Sequence, residues 1–230
     1  MKNVRNFVIH LFIVSISFLL LTISCSKDET EKPATVTDID GNTYKTITIG
    51  TQVWMQENLK VTKLNDGTAI DLVTDNIEWG DTGSPGYCWY DNDVNNKGTY
   101  GGYYNCYTVM TGKLCPDGWH VPSDAEWTIL TDYLGGEEVA GGKMKETGTT
   151  HWLSPNTGAT NESGFTALPG GYRHRYSSSD QLGEYAYFWS STNKESIDEY
   201  YLRDLDYDDT AASRYTNFYN NGLQVRCVKD

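Results

Sequence analysis

The sequence has few positively charged residues. Lysine and arginine together number 18, against 31 aspartates and glutamates, so the formal net charge is −13 at pH 7. Proteins that bind DNA or RNA neutralise phosphates with clusters of basic side chains, and this composition excludes a nucleic acid as the expected partner. Neutral or cationic ligands are favoured on average, although a local group of arginines can reverse the sign in one cleft.

Motifs for catalysis and metal binding are also absent. The chain has no Gly-x-Ser-x-Gly turn for a serine nucleophile, no Cys-x-x-Cys pair and no His-Glu-x-x-His zinc motif. Three of the four histidines, His120, His151 and His174, are isolated from one another in the sequence. We therefore expect neither an enzymatic activity nor a resident cofactor, and a divergent enzyme is the less favoured alternative.

Only one long hydrophobic run is present, and it lies at the N-terminus. Residues 7–21 are apolar apart from one histidine and two serines, and they follow the basic residues Lys2 and Arg5. This pattern predicts an export signal over residues 1–24 rather than a membrane-spanning helix. Ser24 before Cys25 resembles the lipobox of bacterial lipoproteins, in which the cysteine sulfur receives a diacylglycerol. The alternative is an ordinary secretory signal cleaved nearby, with Cys25 a stray thiol.

Residues 25–36 are polar and are expected to form a tether between the lipid and the folded domain. Residues 26–29, Ser-Lys-Asp-Glu, resemble the Lys-plus-acidic tag that directs lipoproteins of Bacteroidetes-type bacteria to the outside of the outer membrane. The sequence thus predicts a lipid-anchored outer-membrane protein that faces the cell exterior and has the membrane as a partner through its anchor.

Four cysteines remain after Cys25 is assigned to lipid. An even number of cysteines in an oxidising compartment indicates disulfides, and four cysteines allow three connectivities that spacing alone does not separate. We favour Cys88 with Cys106, which would join two short aromatic segments, and Cys115 with Cys227, which would join the middle of the chain to its C-terminus.

Local patterns predict several elements. Turn residues flank alternating β-branched residues at 40–55, which indicates the start of a β-meander. Ser123 and Glu126 form a capping box, and the stripe Trp127, Leu130, Leu134 predicts a helix that ends at 135–136, with a second helix over 137–145. The predicted C-terminal strands cover residues 185–189, 200–207 and 223–228. In the middle one, alternate aspartates at 204, 206 and 208 are expected to lie on a solvated face or edge, with a metal site as the alternative.

The polar loop 91–96 offers oxygen ligands in an Asp-x-Asp-x-Asn spacing. Calcium takes such ligands, but the loop lacks the glycine at position 6 and the acidic residue at position 12 of an EF-hand. A capped turn is the favoured interpretation, and calcium is kept as the alternative.

Seven ordered segments resemble one family, the Fibrobacter succinogenes major paralogous domain. They are residues 41–44, 49–59, 114–127, 161–165, 169–173, 188–192 and 225–228. The resemblance covers residues 37–230, which we take as the folded domain. It implies an α+β, C-type lectin-like fold of small twisted antiparallel sheets, two helices and long loops, related to the formylglycine-generating enzymes. A Cys115–Cys227 pairing would resemble the long disulfide bridge of C-type lectins.

Departures from that superfamily limit the function. The cysteines are too far apart for the copper-binding pair of formylglycine-generating enzymes, and neither a Glu-Pro-Asn nor a Trp-Asn-Asp motif of calcium-dependent lectins is present. Aromatic residues are abundant, however, with 7 Trp and 17 Tyr.

Aromatic rings stack on sugars or anchor protein interfaces. The residues at 54, 119, 127 and 189 are expected to pack in the core, and a basic and aromatic cluster is left as the candidate binding site: Trp152, Tyr172, Arg173, His174, Arg175 and Tyr176. We expect a non-catalytic domain that binds a glycan or a surface protein there. The alternative is a structural or adhesion component that binds other surface proteins.

Overall fold

The computed structural model describes residues 34–194 and 199–230. The predicted signal peptide and Cys25 lie outside the described residues. No helix in the described ranges is long and apolar enough to cross a membrane. The first strand begins at Thr35, so the last two residues of the predicted tether belong to a sheet.

In the part of the chain that the structure describes, the strands are short and form four small sheets. Their bounds are β1 (Thr35–Thr37), β2 (Thr43–Ile49), β3 (Gln52–Met55), β4 (Asp71–Leu72), β5 (Gly86–Cys88), β6 (Tyr103–Tyr104), β7 (Trp119–His120), β8 (Tyr172–Arg173), β9 (Ser179–Asp180), β10 (Tyr185–Asn193), β11 (Glu199–Asp206), β12 (Ala212–Phe218) and β13 (Val228–Lys229). The sheet orders are β1-β2-β3-β13-β7, β10-β11-β12, β4-β5-β6 and β8-β9. All pairings within them are antiparallel except that of β4 with β5.

Two helices of eight residues or more follow one another, and three shorter ones precede them. The helices are α1 (Asn76–Asp81), α2 (Lys97–Tyr100), α3 (Cys106–Met110), α4 (Asp124–Tyr133) and α5 (Glu137–Met144). The capping box at Ser123 is confirmed, because its hydroxyl accepts from the Glu126 N–H while the Glu126 carboxylate accepts from the Ser123 N–H. Both predicted helices are therefore present, and the architecture is the expected mixture of helices and small sheets.

Helix α4 is fixed to the sheet β10-β11-β12 by charge. Asp124, its first residue, pairs with the buried Arg203 on β11 at 2.7 Å and with Arg214 on β12 at 2.8 Å. These arginines hold the pKa of the Asp124 carboxyl below its usual value, although burial alone would raise it. Because one carboxylate serves two guanidinium groups, the start of the helix is tied to both strands.

The aromatic core lies between this sheet and the five-stranded one. Trp54 on β3 contacts Trp127 on α4, with ring centroids 4.8 Å apart, and both contact Phe165. Phe188 on β10 completes the group against Trp127 and Phe165. The predicted core role of Trp54, Trp127 and Trp189 is confirmed, since all three are fully buried, whereas Trp119 is only half-buried and packs against the edge of the core.

A buried ammonium group joins three segments near the end of α5. Lys145 is 0% exposed, and its Nζ donates to the carbonyl oxygens of Thr157 at 2.9 Å, Asp206 at 2.7 Å and Asp209 at 2.7 Å. The same Nζ lies 5.3 Å from the centroid of the Trp152 ring. Burial lowers the pKa of Lys145 to about 8.

The disulfide Cys115–Cys227 is formed, as predicted, and it closes a sequence separation of 112 residues. The second expected bridge is wrong: Cys88 and Cys106 are both buried, unbonded thiols. The register explains why, because Cys88 on β5 pairs with Tyr103 on β6 while Cys106 comes three residues later, on α3. Three residues of extended chain span roughly 10 Å, which is beyond the Cα separation that a disulfide bridges.

Two strand predictions also need correction. Of residues 223–228 only Val228 lies in a strand, and Leu223 and Gln224 instead form isolated bridges with Tyr104 and Phe188. Asp204 does not lie on a solvated face, since it is 8% exposed and pairs with Tyr187 on β10 and Ser213 on β12. Of the other two aspartates in this prediction, Asp206 is half-buried, and only Asp208, which lies beyond the end of β11, is exposed.

Candidate functional site

The predicted residues 172–176 lie on a hairpin that separates two cavities. Strand β8 pairs with β9, and the backbone of Arg173 also exchanges hydrogen bonds with Gly222 at 2.8 Å. The loop between the two strands carries Tyr176, which is 55% exposed and lines both cavities.

The larger cavity has a volume of about 690 Å³. Three loops surround it, and its lining is predominantly polar: Thr74, Asp75, Asn76, Ile77, Asp91, Asn92, Arg173, Tyr176 and Ser178. Cavities of this size hold small-molecule ligands, and the polar groups that converge in them set orientation and specificity.

Arg173 organises the floor of the larger cavity without being open to solvent. Its side chain is 0% exposed and packs with its guanidinium carbon 5.5 Å from the Trp79 ring centroid. Nη2 donates to Asn76 Oδ1 at 2.8 Å, and Nη1 donates to Asn92 Oδ1 at 3.3 Å. Arg173, predicted to contact ligand directly, is therefore a positioning residue that turns the amide nitrogens of two asparagines away from itself.

The two asparagines and a neighbouring aspartate present complementary groups. Within the described residues, the Asn76 amide nitrogen donates no hydrogen bond and the Asp91 carboxylate accepts none, whereas the Asn92 amide nitrogen donates to the Thr74 carbonyl at 3.0 Å. A free amide donor and a free carboxylate acceptor in one cavity match the donor and acceptor capacity of adjacent hydroxyl groups.

The backbone at this wall is held in an uncommon conformation. Asp91 has φ 50° and Asn92 has φ 56°, both in the left-handed region. Aspartate and asparagine tolerate this region better than other side chains, yet each such residue costs roughly 1–2 kcal/mol. The Asp91 N–H donates to the Ser179 hydroxyl on β9 at 3.0 Å, which helps to hold the turn. Conformations of this kind cluster at ligand sites.

The loop that offered calcium ligands is a pair of short turns. The Asp93 side chain caps the second turn by accepting from the Asn95 N–H at 2.9 Å, and the Asn96 amide donates to the Tyr90 carbonyl at 3.0 Å. The favoured capped-turn interpretation is confirmed. In residues 34–194 and 199–230, no group of three or more His, Cys, Asp or Glu is arranged to hold a metal ion.

The smaller cavity, of about 230 Å³, lies on the other side of Tyr176. Its lining is mainly aromatic: Gly80, Tyr107, Arg175, Tyr176, Phe218, Tyr219 and Asn220. The guanidinium carbon of Arg175 lies 4.3 Å from the Phe218 ring centroid and 5.2 Å from that of Tyr176. The cation is thus held between two rings, an arrangement that fixes its orientation.

The position of Tyr176 depends on the absence of a side chain at Gly80. A Cβ atom at residue 80 would lie 2.2 Å from the Tyr176 ring and 2.5 Å from the Arg175 carbonyl oxygen. Only glycine allows this approach of α1 to the hairpin. Gly80 has no recognisable motif around it, so the sequence did not single it out.

The remaining predicted site residues take different positions. His174 accepts a hydrogen bond from the Tyr176 N–H at 3.1 Å on Nδ1, so it supports the hairpin loop. Tyr172 lines a third cavity, of about 240 Å³, with Gln181, Tyr187, Asn217 and Asn221. Burial raises the pKa of Tyr172, and the nearby Asp180 adds to the shift.

Trp152 does not belong to the site. It is 1% exposed, lies in the core between the sheets, and donates from Nε1 to the Ala167 carbonyl at 3.0 Å. Its ring also receives the ammonium of Lys145, as described above. The prediction that Trp152 contacts ligand is wrong, because its side chain is buried in the core.

The elements described define an α+β domain of small, mostly antiparallel sheets whose long loops carry open polar and aromatic cavities. The chain belongs to the Fibrobacter succinogenes major domain family, whose model matches residues 47–229. The resemblance seen in the sequence motifs is thereby confirmed. No curated protein and no solved structure matches the chain.

Proposed function

We propose that the chain is a lipoprotein of the outer membrane, anchored through Cys25 and facing the cell exterior, whose domain binds a glycan without catalysis. The larger cavity is the binding site. The observation that carries the proposal is the set of groups that line this cavity: the free Asn76 amide, which Arg173 orients, the free Asp91 carboxylate and the exposed Tyr176 ring. Paired hydroxyls and the apolar face of a sugar ring match these three groups.

The fold we propose for the domain is C-type lectin-like. Two observations support it. The sheet β1-β2-β3-β13-β7 brings the first strands of the domain beside the last one, and the bridge Cys115–Cys227 joins the segment before α4 to the segment before β13. Both features resemble the long bridge and paired ends of that superfamily.

The histidines support binding rather than catalysis. His120 contacts Asp230 through Nδ1 at 2.6 Å and Glu126 through Nε2 at 2.8 Å, and these carboxylates raise its pKa although burial opposes the shift. His151 contacts Glu146 at 2.7 Å. Each of these rings is committed to a local carboxylate, and neither lines the larger cavity.

A glycan array probed with the full chain in non-ionic detergent tests the proposal. Tyr176→Ala should weaken binding about tenfold, because it removes the ring that stacks on the sugar. Tyr215→Ala is the matched control, since Tyr215 on β12 is 60% exposed and lines none of the three cavities described. Binding should survive chelation of calcium, because the Asp93 carboxylate already caps a turn.

Two results would contradict the proposal. An array that stays silent would exclude the glycan and favour a surface protein as ligand, which is the alternative that the aromatic smaller cavity supports. Equal losses in Tyr176→Ala and Tyr215→Ala would place the site elsewhere. The anchor is tested separately: Cys25→Ala should leave the membrane fraction, and its continued partition with membranes would refute lipidation.

A further inference from the structure

We infer that the glycan carries a carboxylate, as a uronic acid does, and that Arg175 in the smaller cavity binds this carboxylate. This inference rests on the proposed glycan-binding function and adds the substrate class. Tyr176 lines both cavities, so a chain of at least two sugars that occupies the larger cavity continues past this ring into the smaller one.

Among the described residues, Arg175 is the arginine whose side chain donates no hydrogen bond to the protein. Of the five arginines in the described residues, Arg173, Arg203, Arg214 and Arg226 all donate side-chain hydrogen bonds to protein oxygens. The side chain of Arg175 makes no hydrogen bond or ion pair with any residue that the structure describes. Its backbone N–H donates to Asn221 Oδ1 at 2.8 Å, which fixes the main chain while the guanidinium remains available.

The local charge favours an anion despite the acidity of the protein. None of the residues that line the smaller cavity is acidic, whereas Asp75 and Asp91 line the larger one. The Phe218 and Tyr176 rings shield the Arg175 guanidinium from water on their sides. A planar guanidinium in a partly dehydrated site pairs with a carboxylate through two parallel hydrogen bonds, a geometry that lysine does not reproduce.

The size of the cavity agrees with one sugar unit. About 230 Å³ is enough for a single ring with its carboxyl group, and the aromatic walls suit the C–H face of that ring. The two cavities therefore divide the ligand: hydroxyl groups contact the asparagine and aspartate side, and the carboxylate contacts Arg175.

The test compares uronate polysaccharides with their carboxyl-reduced forms, which keep the sugar skeleton and lose the charge. The full chain in non-ionic detergent is titrated with each member of a panel of such pairs. At least one acidic member should bind about tenfold more tightly than its reduced form, and its affinity should fall as salt is added. Arg175→Gln should remove the preference for the acidic form, and Arg175→Lys should restore that preference only in part.

The outcomes separate this inference from the function on which it rests. Equal binding of every acidic and reduced pair, or a preference that persists in Arg175→Gln, would overturn the role of Arg175. In either case, weaker binding of both forms by Tyr176→Ala would still support the proposed glycan-binding function. Binding of neutral glycans alone would also overturn it. If no glycan of any kind bound, the proposed function itself would fail. The salt dependence of the affinity of the unaltered chain for the acidic glycan tests the role of charge even if a variant folds poorly.

Discussion

Asp204 is expected to make the protein less stable as the pH rises towards neutrality. It is 8% exposed in the middle of β11, and its Oδ1 atom is buried with no hydrogen-bond partner. Burial raises the pKa of Asp204 to about 7, and the negative charges of Asp206, Asp209 and Glu137 add to the shift. The folded state therefore retains a proton that the unfolded chain releases near its ordinary pKa of 3.8.

The size of the effect follows from this difference in pKa. Below about pH 4 both states hold the proton, and the carboxyl group costs nothing. Between about pH 4 and about pH 7 the folded state binds more protons than the unfolded one, so the free energy of unfolding falls as the pH rises. Above about pH 7 the full cost is reached, roughly 4 kcal/mol at about 1.4 kcal/mol for each pKa unit.

Asp204→Asn copies the shape of the neutral carboxyl group and removes the charge. We expect this variant to be more stable than the parent by up to about 4 kcal/mol at about pH 8 and to match it at about pH 4. Urea unfolding followed by tryptophan fluorescence, repeated across this range, measures the difference. Asp132→Asn is the control, because Asp132 is exposed on α4 and its replacement removes one negative charge without relieving burial. A difference between Asp204→Asn and parent that does not vary with pH would refute the reasoning.

Two further predictions concern stability. Replacing both Cys115 and Cys227 by serine should lower the free energy of unfolding by about 5 kcal/mol on the chain-entropy model, because the bridge closes a separation of 112 residues. Reductant should then destabilise the parent and a Cys88→Ser variant but not this double variant; an effect of reductant on the double variant would contradict the assignment. Lys145→Met should cost about 3 kcal/mol or more, since it removes three charge-assisted hydrogen bonds to part-buried carbonyl oxygens. Urea unfolding measures it, and a loss below about 1 kcal/mol would show that the ammonium is not required there.

The parts of the fold that could be predicted from the sequence are those determined by residues close to one another in the chain. The capping box of Ser123 and Glu126 involves residues three apart, so one short segment determines where α4 begins. The motifs of the family identify the domain for a different reason: they are long and ordered, and six of the seven segments lie within residues 47–229, which the family model matches. Neither kind of signal requires knowledge of which distant residues meet.

The errors arose where burial is decided by distant contacts. Trp152 follows a histidine in a polar stretch and looked available, yet Lys145 and Ala167 enclose it. The alternation in β11 looked like a solvated edge, but β10 and β12 pair on both sides of Asp204. Period-2 patterns identify an exposed face only when one side of the strand lies open.

The candidate site was predicted in part. The segment that carries Arg173, Arg175 and Tyr176 was predicted as a binding site because it combines basic and aromatic residues in an acidic protein. Asn76 and Asn92 were missed, because Asn76 begins α1 while Asn92 ends a separate short turn, and Arg173 brings them together. The Asp91-Asn92 pair offered a usable clue, since these two residue types tolerate left-handed backbone.

The ammonium of Lys145 has a consequence for how this part of the domain responds to the ions around it. Carbonyl oxygens from three segments converge on it as they would on a metal ion, but the charge is carried by the chain itself. Its occupancy does not vary with the ions in the surrounding fluid, and a chelator has nothing there to remove. The loops around residues 157 and 206–209 are thus held together by a cation that is supplied when the polypeptide is made.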